Sequence, residues 1–236
     1  MNYLAAIANE AGRIGEVARA GPLGARVPHI PRWKMSDVLA HLGGIHRWAG
    51  DIVLHRSMDQ GRRRGKETGE ALIVWFEEGA ARLLEILGDT DPDERCPNFS
   101  PGSPNTVAFW HRRQAHETTM HRWDVEAAVP DLTSIPAEFA ADGIDELFHT
   151  FTRSRGKQVL ARPISFSTGD RRWTLAPTGP PGRVDLVDTD ADVAVTGSAE
   201  DLLLALWKRK PIDESGLVIT GSRPVAVDFI AGPLSP

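Results

Sequence analysis

The sequence predicts an α+β protein in two domains, a helical bundle over residues 1–155 and a small α+β domain over 157–236. Three observations carry this expectation. Apolar residues recur at helical spacing from Leu4 to Phe151. At Gly156 the period shortens to two. Proline and glycine punctuate the chain where one element gives way to the next.

Residues 2–20 place Leu4, Ile7, Ala11, Ile14 and Val17 on one helical face, and Gly21 with Pro22 ends that run. Pro28 and Pro31 lead through Trp33 to a second helix at about 36–56, with Ser36 as its N-cap. A third helix spans about 68–87 and stops at Gly88. A loop rich in Pro, Asn and Ser covers 89–105, and Pro104 opens a fourth helix over 104–128, a position proline tolerates. A further helix at about 136–153 carries Phe139, Ile144, Leu147, Phe148 and Phe151. Residues 164–168, 172–176 and 192–196 alternate and read as strands, with a long turn at 178–182. Ser198 precedes an acidic first turn, so 198–207 is a helix. Residues 217–220 form another strand and 224–230 a short closing helix.

An apolar content of 41% and a charged content of 25% describe an ordinary globular chain with room for an ample core. The net charge of −5 argues against coating nucleic acid. The one basic run, Gly61 to Lys66, reads as a solvated loop between helices, with an anion contact as its alternative. No apolar run approaches the ~18 residues of a membrane span, and no leader is evident, so a cytoplasmic protein is expected. A single cysteine, Cys96, rules out an internal disulfide and suits a reducing compartment. It sits in a turn-rich loop with no guaranteed cation beside it, which favours a structural thiol over a nucleophile.

Chemistry concentrates in the fourth helix. Glu117 and His121 stand four apart and therefore share a face, and that face is the apolar stripe of Val107, Trp110, Gln114, Val125 and Ala128. A carboxylate and an imidazole aimed into a core are costly unless paired, and a metal ion is the simplest partner. His116 and His121 are five apart, about 140° around the axis, so they cannot grip one ion as a His-Glu-x-x-His motif would. On the second helix His41 falls on the inward stripe with Val38, Leu42, Ile45 and Trp48, whereas His46 lies well off it. His41, Glu117 and His121 thus make two imidazoles and a carboxylate, a zinc set that keeps a position open. Hydrogen-bonded core groups are the bland alternative. Asp124 reads either as a partner orienting an imidazole or as a helix-end acid. Arg122 faces about 100° from His121 and reads as a surface or interdomain residue; Trp48 and Trp110 read as packing.

Trp33 with Asp37, Val38 and His41, then His116-Glu117 with His121, Arg122 and Asp124, and finally Leu206-Trp207 with Arg209 and Val218 with Gly221, resemble the mycothiol-dependent maleylpyruvate isomerase family along nearly the whole chain. The resemblance implies a DinB-like up-down four-helix bundle and a sterol-carrier-like C-terminal domain. It implies a divalent metal, usually zinc, on His41, Glu117 and His121, with mycothiol as thiol cosubstrate. Arg209 then matches the family's arginine near the cleft, although a cation at a helix end is an equal reading. The implied reaction is addition of the thiol to a conjugated cis double bond, rotation, and elimination. The same first half would serve S-transfer to another electrophile.

Two other classes stay open. A non-catalytic binding module would close its metal with a fourth protein ligand, for which His116, Asp124 and Cys96 are candidates. A metal-dependent hydrolase would need a general base, for which Asp124 is the nominee. Nickel, iron and manganese also accept the same donors as zinc.

Overall fold

The computed structural model of the chain describes residues 1–129, 131–152, 160–179 and 182–234. Gly156, the end of the helix expected to reach 153, and the centre of the turn at 178–182 lie outside them. Two compact units result, Met1–Asn98 with Pro104–Thr133, and Phe99–Ser103 with Ser134–Pro236.

The first unit is four helices: α1 (Tyr3–Ala20), α2 (Met35–His55), α3 (Glu70–Gly88) and α4 (Val107–Ala127). Both α3 and α4 pack against α1 and against α2, so α1 and α2 stand at opposite corners. Ile14, Leu39, Leu42, Phe76 and Val125 lie fully buried between them. Asn2 caps α1 by accepting from the Ala5 N–H at 3.0 Å. α2 starts one residue before its expected cap: Ser36 is inside the helix, and the Asp37 carboxylate reaches back to the Lys34 N–H at 3.0 Å. Pro104 lies in the loop, and Thr106 occupies the N-cap position of α4.

α4 is polar in composition yet buried around nearly its whole circumference. Its polar groups therefore need partners inside the protein. Arg122, expected at a surface or between domains, is 2% exposed. It donates from Nε to Glu10 Oε2 on α1 at 2.6 Å, and from Nη1 to Glu126 Oε2 at 2.7 Å and the Thr133 carbonyl at 2.6 Å. Arg13 of α1 donates to the other Glu126 oxygen at 2.8 Å. Glu126 thus lies between two guanidiniums and ties α4 to α1. His46, placed off the inward stripe by the sequence, is also fully buried. Its Nε2 lies 2.9 Å from Thr118 Oγ1, whose hydroxyl donates to the Gln114 carbonyl at 2.7 Å. The imidazole must therefore donate from Nε2, and burial pushes its pKa down to about 3.

The second unit holds α5 (Ala137–Leu147), which runs on into one π-helical turn at Phe148–Thr152. After it come β1 (Ile164–Thr168), β2 (Arg171–Pro177), β3 (Val184–Val187), β4 (Val193–Thr196), α6 (Ala199–Leu206), β5 (Val218–Thr220) and α7 (Arg223–Ala231). The sheet order is β3-β2-β1-β4-β5, with β1 and β4 parallel and the other pairs antiparallel. The sequence assigns α5 to the bundle, but α5 packs against α6 in this unit. Its continuation carries Phe148 to 5.3 Å from the Phe166 ring of β1, and Trp173 of β2 donates to Asp145 at 3.2 Å. β3 is absent from the sequence reading. It is four residues long and interrupted by Asp185, which accepts from Thr178 across the hairpin and from Arg183 just before the strand. Gly221 ends β5 at φ +80°, where a Cβ would stand 2.0 Å from the Asp192 carbonyl, so no other residue fits there.

Replacing Glu126 by Ala leaves the buried Arg122 guanidinium and the half-buried Arg13 without their shared anion, and an unfolding free-energy loss of about 3 kcal/mol is expected in denaturant titration. His46 has a folded pKa below its unfolded value near 6.5, so the stability its neutral ring contributes is present above that pH and is lost as pH falls toward about 3. In NMR titration the His46 ring is expected to keep neutral-form shifts from pH 7 to pH 4.

Candidate metal centre

α2 and α4 lie side by side and bring His41, Glu117 and His121 together, with one ligand atom of each within 4.8 Å of the others. Glu117 Oε1 is 3.5 Å from His41 Nε2 and 3.4 Å from His121 Nε2. Ligands held at about 2.0–2.2 Å in a tetrahedron stand roughly 3.3–3.6 Å apart. Two of the three spacings thus match a zinc-sized ion. Among the described residues no further His, Cys, Asp or Glu joins the group. Side-chain exposure falls from 31% at His41 to 19% at Glu117 and 8% at His121, so the accessible side is the His41 side.

The surroundings fix each donor. His121 Nδ1 lies 2.9 Å from Asp124 Oδ2. A carboxylate only accepts, so Nδ1 carries a proton and Nε2 is left to face Glu117. Asp124 is fully buried, which makes it an orienting partner of His121 and leaves it out of the ligand group. Arg113, 2% exposed and one turn earlier on α4, donates to Glu117 Oε2 at 2.8 Å. That contact occupies one carboxylate oxygen and leaves Oε1 to the imidazoles. Burial alone would raise the Glu117 carboxyl, but the two imidazoles and the Arg113 charge hold it well below the usual carboxylate range. Burial would lower His121, yet its contacts with Asp124 and Glu117 push it up to about 9.

Trp33 forms a wall. Its ring centroid is 5.0 Å from that of His41 and 6.0 Å from that of His121, nearly parallel to the latter at 17°. The α1–α2 connection holds it there, with Val27 N–H donating to the Trp33 carbonyl at 3.0 Å and Trp33 N–H to the Ile30 carbonyl at 2.7 Å.

The structure brings the three expected ligands together, and among the described residues none of the other candidate ligands joins them. His116 is buried with its ring 6.3 Å from Tyr3. Cys96 is buried with its Sγ 3.9 Å from the Ile52 carbonyl, and burial pushes its thiol up. Trp48 and Trp110 pack edge to face at 5.4 Å. Arg209 belongs to the second unit; its N–H donates to the Leu204 carbonyl at 2.8 Å and its guanidinium to the Trp207 carbonyl at 2.9 Å, contacts that close the end of α6. Arg113 is the site residue that the sequence reading missed. Its i, i+4 spacing to Glu117 was the available signal. Trp33 enters the sequence reading through its place before α2 and the family resemblance, with nothing local to mark it as a wall of the site.

The family model described as Mycothiol maleylpyruvate isomerase N-terminal domain matches residues 4–126, and that described as MDMPI C-terminal domain matches residues 138–227. A crystal structure of the mycothiol-dependent maleylpyruvate isomerase superposes with a TM-score of 0.64 at 14% identity, covering 92% of this chain and 91% of that one. A histidine-to-alanine mutant of that isomerase gives 0.66 at 13% identity with the same coverage. At such identity the likeness establishes the fold. No curated protein matches the chain. The two family matches run through both units, and the chain belongs to the mycothiol-dependent maleylpyruvate isomerase family.

Proposed function

We propose that the chain is a metal-dependent enzyme that uses a low-molecular-weight thiol, mycothiol by family, to attack a conjugated small-molecule electrophile. Cis–trans isomerisation of a maleylpyruvate-type substrate is the net reaction. The observation that carries this reading is the single Glu117 oxygen lying 3.4–3.5 Å from two imidazole nitrogens, in a group of three donors that no further His, Cys, Asp or Glu joins among the described residues. A divalent cation on this set, zinc by ligand type, supplies positive charge that favours a thiolate over a thiol.

The chain's own residues do the rest. Asp124 keeps His121 in the tautomer that presents Nε2. Arg113 restrains Glu117 to one available oxygen. Trp33 covers the imidazoles and limits water on their flank. Substrate enters from the more exposed His41 side. The thiolate sulfur forms a bond to one carbon of the double bond, whose electron pair moves into the conjugated carbonyl. Rotation about the carbon–carbon bond that is now single, and return of that pair, expel the same thiolate, so the thiol is regenerated. Cys96 is too buried to serve as the nucleophile, which makes an external thiol necessary. A cytoplasmic setting keeps that thiol reduced. Arg209 is carried in this reading as a substrate-carboxylate contact, on the strength of the family resemblance.

His41→Ala, Glu117→Ala and His121→Ala are each expected to lose the metal while the bundle stays folded, as read by elemental analysis and circular dichroism. Arg113→Met and Asp124→Asn should weaken metal affinity by about 10–100-fold without abolishing it. Full metal content in all three alanine variants rejects the ligand set. Incubating the zinc form with mycothiol and maleylpyruvate should yield the trans isomer with the thiol recovered, and Cys96→Ala should leave that rate unchanged. A thiol adduct that accumulates instead, in mass spectra, points to S-transfer; no thiol-dependent change with any of a panel of electrophiles overturns the enzyme reading.

A further inference from the structure

The basic run from Gly61 to Lys66 joins α2 to α3, and it is not a loose loop. The Arg62 guanidinium lies 4.3 Å from the Trp48 ring centroid. Arg64 Nη2 donates to Asp37 Oδ1 at 2.6 Å. Gly65 N–H donates to the Ala40 carbonyl at 3.2 Å. The Arg63 carbonyl comes so close to α2 that a Cβ on Gly44 would stand 1.8 Å from it. Four contacts thus strap the run lengthwise along α2. Asp37, His41, Gly44 and Trp48 are spaced i, i+4, i+7 and i+11, and at about 100° per residue they fall within about 60° of one another. The strap therefore follows the stripe that carries His41, the most exposed of the three candidate ligands.

The three guanidiniums are not equivalent. Arg62 is committed to an aromatic face and Arg64 to a carboxylate. Arg63 is exposed, and among the described residues it makes no hydrogen bond or ion pair. Its backbone nevertheless makes the closest approach of the strap to α2, at Gly44, and is flanked by the anchored Arg62 and Arg64. A surface charge kept for solubility needs no such anchoring. A fork that must meet a ligand gains from it, because less freedom is lost on binding.

We propose that this strap is a carboxylate-recognition element flanking the metal centre, with Arg63 as the receiving fork and Arg62 and Arg64 as supporting charge. The electrophile is accordingly a small organic acid whose carboxylate docks on the strap beside the conjugated bond. Guanidinium geometry matches a planar carboxylate in two parallel hydrogen bonds. The proposal deepens the functional reading above and rests on its placement of substrate on the His41 side.

Calorimetric titration of the zinc-loaded full chain with maleate, without thiol, tests it. Arg63→Gln should bind maleate about 10-fold or more weakly, as expected for loss of a charged hydrogen-bonding partner. Zinc content and circular dichroism should be unchanged, and the uncharged diester dimethyl maleate should not respond to the substitution. Arg95→Gln, which removes an exposed arginine from the α3–α4 loop, changes net charge equally and should leave maleate binding intact. Unaltered maleate affinity in Arg63→Gln overturns the proposal, as do equal losses in both variants or no maleate binding by the unsubstituted chain. Failure of that chain to take up zinc counts against the metal centre instead, and maleate titration of the metal-free form then still decides for or against the strap.

Discussion

Glu117 cannot be buried alone. A carboxylate withdrawn from water costs several kcal/mol unless positive charge and hydrogen-bond donors surround it. Here one oxygen takes Arg113 and the other faces two imidazoles. That requirement fixes the relative position of α2 and α4, because His41 must reach across from one helix to the carboxylate on the other. It also fixes the ring of His121, which Asp124 holds from behind. The candidate metal centre and the packing of the two helices are therefore a single arrangement.

The same helix repeats the device two and a half turns later. Glu126 is held between Arg13 and Arg122, so that α4 is joined to α1 by charge as it is joined to α2 by the candidate ligands. A helix buried on all sides and yet rich in His, Arg, Thr, Asp and Glu is an expensive choice for stability, since apolar residues of similar volume often pack as well or better. What such a helix gains is definition: each polar group has a particular partner, and a shifted register would leave several unsatisfied.

The helical half and its candidate ligands were legible because their signals are periodic. His41, Glu117 and His121 lie on apolar stripes, and a titratable group in such a stripe is anomalous whatever the fold. Arg122 and His46 escaped for the converse reason. Their faces do not look apolar, and only the burial of α4 around nearly its whole circumference and of His46 beside Thr118 places them inside. The place of α5 was illegible because an amphipathic helix does not declare which core it will join; Phe148 and Trp173 decide that through contacts distant in sequence. β3 was lost to its brevity, since four residues with an aspartate among them carry too little alternation to register. The basic run was judged by composition, and composition is silent about the glycine on another helix that lets it lie flat.

Two side walls of the candidate centre, Trp33 and the arginine strap, come from interhelical connections, whereas its donors come from helices. Connections accept substitution, insertion and reshaping far more readily than packed helices do. A lineage can therefore exchange the groups that greet an incoming molecule while the ion-holding framework remains fixed. Relatives sharing the same three donors need share neither cargo nor preference.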